Sequence, residues 1–136
     1  MHLILSTLCE AATVRPDGRL NLVGCFHELR APGFPAAQDH LTVVFVIEWT
    51  ADEVGRQPLR ADLVDADGMR ILTIEGHTEV VPAAGDAAAR TRLIMPLENI
   101  VFPHAGRYRF DITLGKDVRR GCSLHVAHAG TGPDPS

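Results

Sequence analysis

Cysteine and histidine are the residue types here that invite a chemical reading first. Cys9, Cys25 and Cys122 form an odd set of three with no CxxC spacing. Cys9 and Cys25 flank Arg15-Pro16-Asp17-Gly18, where Pro presets φ, Asp favours a turn and Gly accepts a left-handed conformation. With Pro16–Gly18 as a three-residue loop and a glycine bulge, facing residues have numbers that sum to 34, so Cys9 opposes Cys25. His27 shares the face of Cys25 because strand side chains alternate. A thiol pair beside a histidine suits a redox switch or part of a metal site. Structural zinc takes four ligands and this set names three, so small side chains packed between sheets are the preferred reading.

The remaining titratable residues form no known catalytic pattern. His125 and His128 are three apart, which places them on opposite faces of a strand. His2, His40, His77 and His104 are scattered through strand ends and loops, and nothing matches HExxH or a zinc-finger spacing. Asp62, Asp65 and Asp67 lack the DxDxDG pattern and distal Glu of an EF-hand, so an Asp-Gly turn explains them. The chain has three serines, and Gly121-Cys122-Ser123-Leu124-His125 lacks the second glycine of a nucleophile elbow. Glu75 and Glu79 set no contrast of environments, and phosphate loops and dinucleotide fingerprints are missing. The expectation is a protein without catalytic residues, cofactor or metal. An enzyme reading, metal-dependent or hydrolytic, would draw on His104, His40 and Asp67 in loops.

The elements that must position these residues read as strands. Segments 2–14, 19–29, 41–50, 58–65, 69–79, 90–99, 106–114 and 118–127 are extended and punctuated by turn residues. Segment 41–50 is apolar on both faces and is expected to be central. In 106–114, Tyr108, Phe110, Ile112 and Leu114 point inward while Arg107, Arg109, Asp111 and Thr113 point out. Ala66-Asp67-Gly68 repeats the first turn, and Pro96 suggests an edge strand or a bulge. Thr50-Ala51-Asp52-Glu53 mimics a capping box, but Gly55 and Pro58 limit it to a single turn. Residues 80–89 read as a loop with one helical turn capped by Asp86. The predicted architecture is all-β: a two-sheet antiparallel β-sandwich of about eight strands over residues 1–128, followed by a disordered tail, 129–136.

Composition bounds the partners. At 136 residues with 46% apolar and 22% charged residues, the chain can bury a core without a disulfide or metal. A net charge of −4 argues against a general nucleic-acid surface, even though twelve of the thirteen basic residues are Arg. The Met1–Cys9 stretch has only Leu3–Leu5 as an apolar run and no preceding basic residue, so no export signal is read and a cytoplasmic location is expected. No membrane association is expected either.

An opening Leu8-Cys9-Glu10-Ala11, then LNLVGCF, APGFP, VDADG and FPHAGRYRF, resembles a family of small bacterial single-domain proteins labelled a domain of unknown function. The likeness covers most of residues 3–126, and Glu10 supplies the polar or acidic residue typical after the first Cys. It implies a β-sandwich of bacterial origin and transfers no activity. The function expected is a non-catalytic binding or adaptor module for a protein partner, with small-ligand binding as an alternative. Its candidate contacts are Phe34 and Pro35 in one Pro-rich loop and Phe102 and His104 at the end of another. Phe34 and Phe102 read equally as plugs at the ends of the sandwich. Apolar residues on both faces of 41–50 and 90–97 also suggest a homodimer.

Overall fold

The computed structural model describes residues 1–85 and 87–129. The helical turn expected at Asp86 and, apart from Ala129, the expected tail lie outside the described residues. Among the described residues ten strands are present: β1 (His2–Cys9), β2 (Ala11–Val14), β3 (Leu20–Val23), β4 (Glu28–Ala31), β5 (Ala36–Glu48), β6 (Gly55–Asp65), β7 (Arg70–Val80), β8 (Arg90–Phe102), β9 (Gly106–Leu114) and β10 (Asp117–His128). Their one helical companion among the described residues is a single turn, Ala51–Glu53, where the Thr50 N–H donates to Glu53 Oε1 at 2.8 Å.

The fold is all-β, but its arrangement corrects the sequence expectation in three respects. There are ten strands rather than eight, because 2–14 breaks at Glu10 and 19–29 breaks around Gly24. They form three sheets rather than two: β1-β5-β8, a curled β4-β10-β9-β6-β7, and the small β2-β3 ribbon. And one pairing is not antiparallel, since β4 runs parallel to β10 with Glu28 beside His125 and Ala31 beside His128. Parallel neighbours need a long connection, and here residues 32–116 separate the two strands.

Local chemistry was read correctly where contacts are local. The first hairpin pairs Ala11 with Val23 and Val14 with Leu20, and a bridge joins Leu8 to Phe26. The sum of 34 therefore holds on both sides of Cys9 and Cys25. Gly18 and Gly68 close matching turns with φ of 86° and 81°, a region open to glycine. β5 is central in its sheet, and Pro96 sits on edge strand β8, where a missing N–H costs no ladder bond.

The core lies between the three-stranded and five-stranded sheets. Leu41, Val43, Phe45 and Ile47 of β5 meet Leu59, Ala61 and Leu63 of β6 and the inward residues of β9. Tyr108, Phe110, Ile112 and Leu114 are buried as their alternation predicts. Each such aliphatic side chain removed from water contributes roughly 1.5–3 kcal/mol. Trp49 follows β5 into the same core, and its Nε1–H donates to Thr91 Oγ1 at 2.8 Å. At the open sides β1 lies beside β10 and β7 beside β8.

Candidate functional site

Strand directions gather four segments at one end of the molecule. The Pro32–Pro35 connection leaves β4 and enters β5, Pro103–Ala105 joins β8 to β9, Ala66–Met69 joins β6 to β7, and β10 ends there at His128. All four candidate contact residues, Phe34, Pro35, Phe102 and His104, come to this end. His40 does not join them: it stands in a separate cleft with Glu10, Cys25 and Glu28.

The Pro-rich connection roofs a cleft of about 220 Å³. Ala31, Pro32, Pro35 and Ala36 form its wall, and Phe102 and Val126 its floor. Phe102 is 1% exposed, a plug in the core. Phe34 is half-buried, with its ring 6.1 Å from that of His128, and Pro35 is exposed.

Phe102 begins a stack that ends at a titratable pair. Its ring meets Tyr108 edge-on at 5.0 Å, and His104 lies on the other side of Tyr108 at 5.6 Å with planes 22° apart. The Tyr108 hydroxyl donates to the His104 carbonyl at 2.6 Å, closing the loop that Pro103 and Gly106 steer. Asp65, at the end of β6, accepts the N–H groups of Asp67 and Met69 on Oδ1, each at 2.9 Å. Its Oδ2 lies 3.3 Å from His104 Nε2. The Met69 N–H above all, with His104 behind it, holds the Asp65 carboxyl below the usual carboxylate range. The Ala105 carbonyl, 3.1 Å from Nδ1, and then Asp65 push His104 above the usual imidazole range.

Both imidazole nitrogens therefore face acceptors. An imidazole satisfies two acceptors only by carrying two N–H groups, the charged form. In that doubly protonated form His104 has no lone pair to offer. It acts as a latch between the β8–β9 loop and the β6–β7 turn.

Cys9 and Cys122 are set for packing, whereas Cys25, expected between sheets, is exposed. Burial first, then the proximity of Cys25, raises the Cys9 thiol, and burial raises that of Cys122. Raised thiols are poor nucleophiles and poor metal ligands. Cys25 and His27 are exposed, and among the described residues no group of three or more His, Cys, Asp or Glu side chains converges.

Sequence reasoning missed the outer face of the five-stranded sheet. Asp62 and Asp111 oppose each other across β6 and β9 and are buried. Each is held by an arginine two residues away on its own strand, Arg60 at 3.0 Å and Arg109 at 2.5 Å. Beside them a groove of about 430 Å³ runs between the Asp65–Gly68 turn and Arg107, Arg109, Arg120 and Ser123. The available signal was Gly121-Cys122 inside the last strand, a composition that marks a β-bulge.

A model of DUF6941, described as a family of unknown function, matches residues 4–127. No curated protein and no solved structure matches the chain.

Proposed function

The chain belongs to the family DUF6941, and from that premise and the geometry of its loop-bearing end we propose that it is a non-catalytic binding or adaptor module. The observation that carries this is the cleft lined by Pro32, Pro35, Phe102 and Val126, with Phe34 beside it in the chain, half-buried against the core. An aromatic and a proline beside a preformed hollow of mixed polar and apolar lining suit recognition of a protein partner. Support against catalysis comes from His104, the best-placed histidine, whose two nitrogens are both engaged. The same reading takes the three-stranded and five-stranded sheets as two layers of a sandwich, supported by a core drawn from both. It places the module in the cytoplasm, away from nucleic acid and membrane. Among the described residues no helix is long and apolar enough to cross a membrane.

The test compares cross-linked capture from native lysate by the wild type, Phe34→Ala and Pro35→Ala. The expected result is a captured protein lost with either variant while both keep their melting transitions. Equal capture by all three overturns the assignment of this end, and collapse of the Phe34→Ala transition makes Phe34 a plug.

Self-association is a second reading, favoured by Ile4 and Leu5 of edge strand β1, 42% and 36% exposed. A monomer in sedimentation at micromolar concentration removes it.

A further inference from the structure

The geometry points to an oxyanion site for a phosphate monoester in the groove on the outer face of the five-stranded sheet. β9 and β10 build its floor in three successive rows: Arg107 beside His125, Arg109 beside Ser123, and Asp111 beside Arg120. Rows on one face of a strand repeat about every 6.6 Å. Regular pairing would not put both Arg120 and Ser123 in adjacent rows of one face, because they are three residues apart. The bulge at Gly121–Cys122 does so by adding a residue to β10 alone. That bulge is built to close tolerance. A Cβ on Gly121 would stand 2.3 Å from the Phe110 carbonyl oxygen and 2.8 Å from Ser6 Oγ.

The charges in the groove are not equivalent. Arg109 forks onto Asp111 through Nε at 2.5 Å and Nη2 at 2.9 Å, so its charge is already matched. Asp65 on the far wall is committed to two backbone N–H groups and His104. Asp67 stands exposed at the rim. Arg107 and Arg120 are different: among the described residues neither guanidinium has an ion-pair or hydrogen-bond partner. The Ser123 hydroxyl between them is likewise unengaged among the described residues.

Two free guanidiniums approaching from opposite ends, with a hydroxyl donor between, offer hydrogen bonds in three directions. A planar carboxylate presents two coplanar oxygens and fills one fork. A tetrahedral phosphate monoester presents three oxygens and uses all of them. The site is separate from the cleft under Pro32–Pro35, so it stands whether or not a protein docks there.

The test is an amide-shift titration of the full chain at fixed ionic strength, with inorganic phosphate, a phosphoserine peptide, its unphosphorylated form, and acetate. Phosphate is expected to give saturable shifts centred on Arg107, Arg120 and Ser123. Arg107→Gln and Arg120→Gln, both at exposed positions, should each weaken binding about tenfold without changing the melt. Arg56→Gln, at the far end of β6, should leave it unchanged. A peptide that binds more tightly than free phosphate identifies a phosphorylated protein as the source; equal binding identifies a small-molecule phosphate. Shifts that do not saturate, equal binding of acetate, or equal weakening by Arg56→Gln would overturn the assignment.

Discussion

Replacing Gly121 by alanine is expected to be among the costliest single-methyl additions in this protein. The new Cβ would lie 2.3 Å from the Phe110 carbonyl oxygen, 2.8 Å from Ser6 Oγ and 2.9 Å from Phe45 Cε1. The first distance is roughly 1 Å inside ordinary van der Waals contact, and its partner is backbone in the middle of β9. Relief therefore requires β9 and β10 to separate where they carry the core. Alanine would otherwise gain about 0.4–1 kcal/mol by restricting the unfolded chain. Overpacking costs of about 1–3 kcal/mol, or more against backbone, exceed that gain. A net loss of about 2–3 kcal/mol is expected, lowering the melting temperature by on the order of 10 °C. Ser6→Ala in the same chain removes the second clash but not the first, so it should not restore stability. It would also leave the Cys122 N–H without its 2.8 Å acceptor. Gly76→Ala is the control, since a Cβ there meets nothing within 4 Å and φ is unexceptional. Thermal denaturation followed by circular dichroism reads both. A Gly121→Ala protein as stable as Gly76→Ala would refute the packing argument and, with it, the fixed bulge that aligns Arg120 with Ser123.

Tyr108→Phe keeps the buried ring but removes the 2.6 Å bond to the His104 carbonyl, and should cost about 1 kcal/mol in urea denaturation. The Asp65–His104 latch sets a pH window. His104, raised, contributes fully below the ordinary imidazole range and loses its contribution as pH rises through its folded value. Asp65, lowered, contributes above the ordinary carboxylate range and loses it as pH falls through its folded value. The stability difference between wild type and His104→Gln should therefore peak between those limits. The His104 ring protons should titrate above the reference value of about 6.5; titration below it would contradict the arrangement. Iodoacetamide should label exposed Cys25 in the folded protein and reach Cys9 only on unfolding, as peptide mass mapping will show.

Much of the fold is legible in the sequence wherever its cause is local. Arg15–Gly18 and Asp65–Gly68 name their own turns, and the alternation of 106–114 assigns the inward face of β9. The breaks in 2–14 and 19–29 are less visible because they arise from packing across the ribbon. A Cβ on Gly24 would sit 2.6 Å from the Glu10 side chain, so the two residues specify each other. The first five residues of β5, Ala36–His40, carry no alternating pattern. They become strand because β8 extends to pair with them, Ala36 with Phe102 and His40 with Glu98. The Asp62–Asp111 pair escaped for the same reason, since opposing them is a property of register between strands nearly 50 residues apart. Like charges facing across a ladder are unfavourable unless neighbours compensate, and those neighbours are Arg60 and Arg109.

The parallel pairing of β4 with β10 explains why the candidate site lies where it does. β4 belongs to the five-stranded sheet and β5 to the three-stranded sheet, yet only residues 32–35 separate them. This short connection must therefore pass from one sheet to the other rather than turn back along one. A crossing segment cannot fill the wedge beside it with regular strand, and Phe102 from one sheet and Val126 from the other are left lining the cleft. The prolines suit the segment because they stiffen it where no ladder partner supports it. Both sheets thus contribute to the cleft, and its shape depends on how they sit against each other. A core substitution that draws the sheets together should narrow it even when no residue lining it is changed.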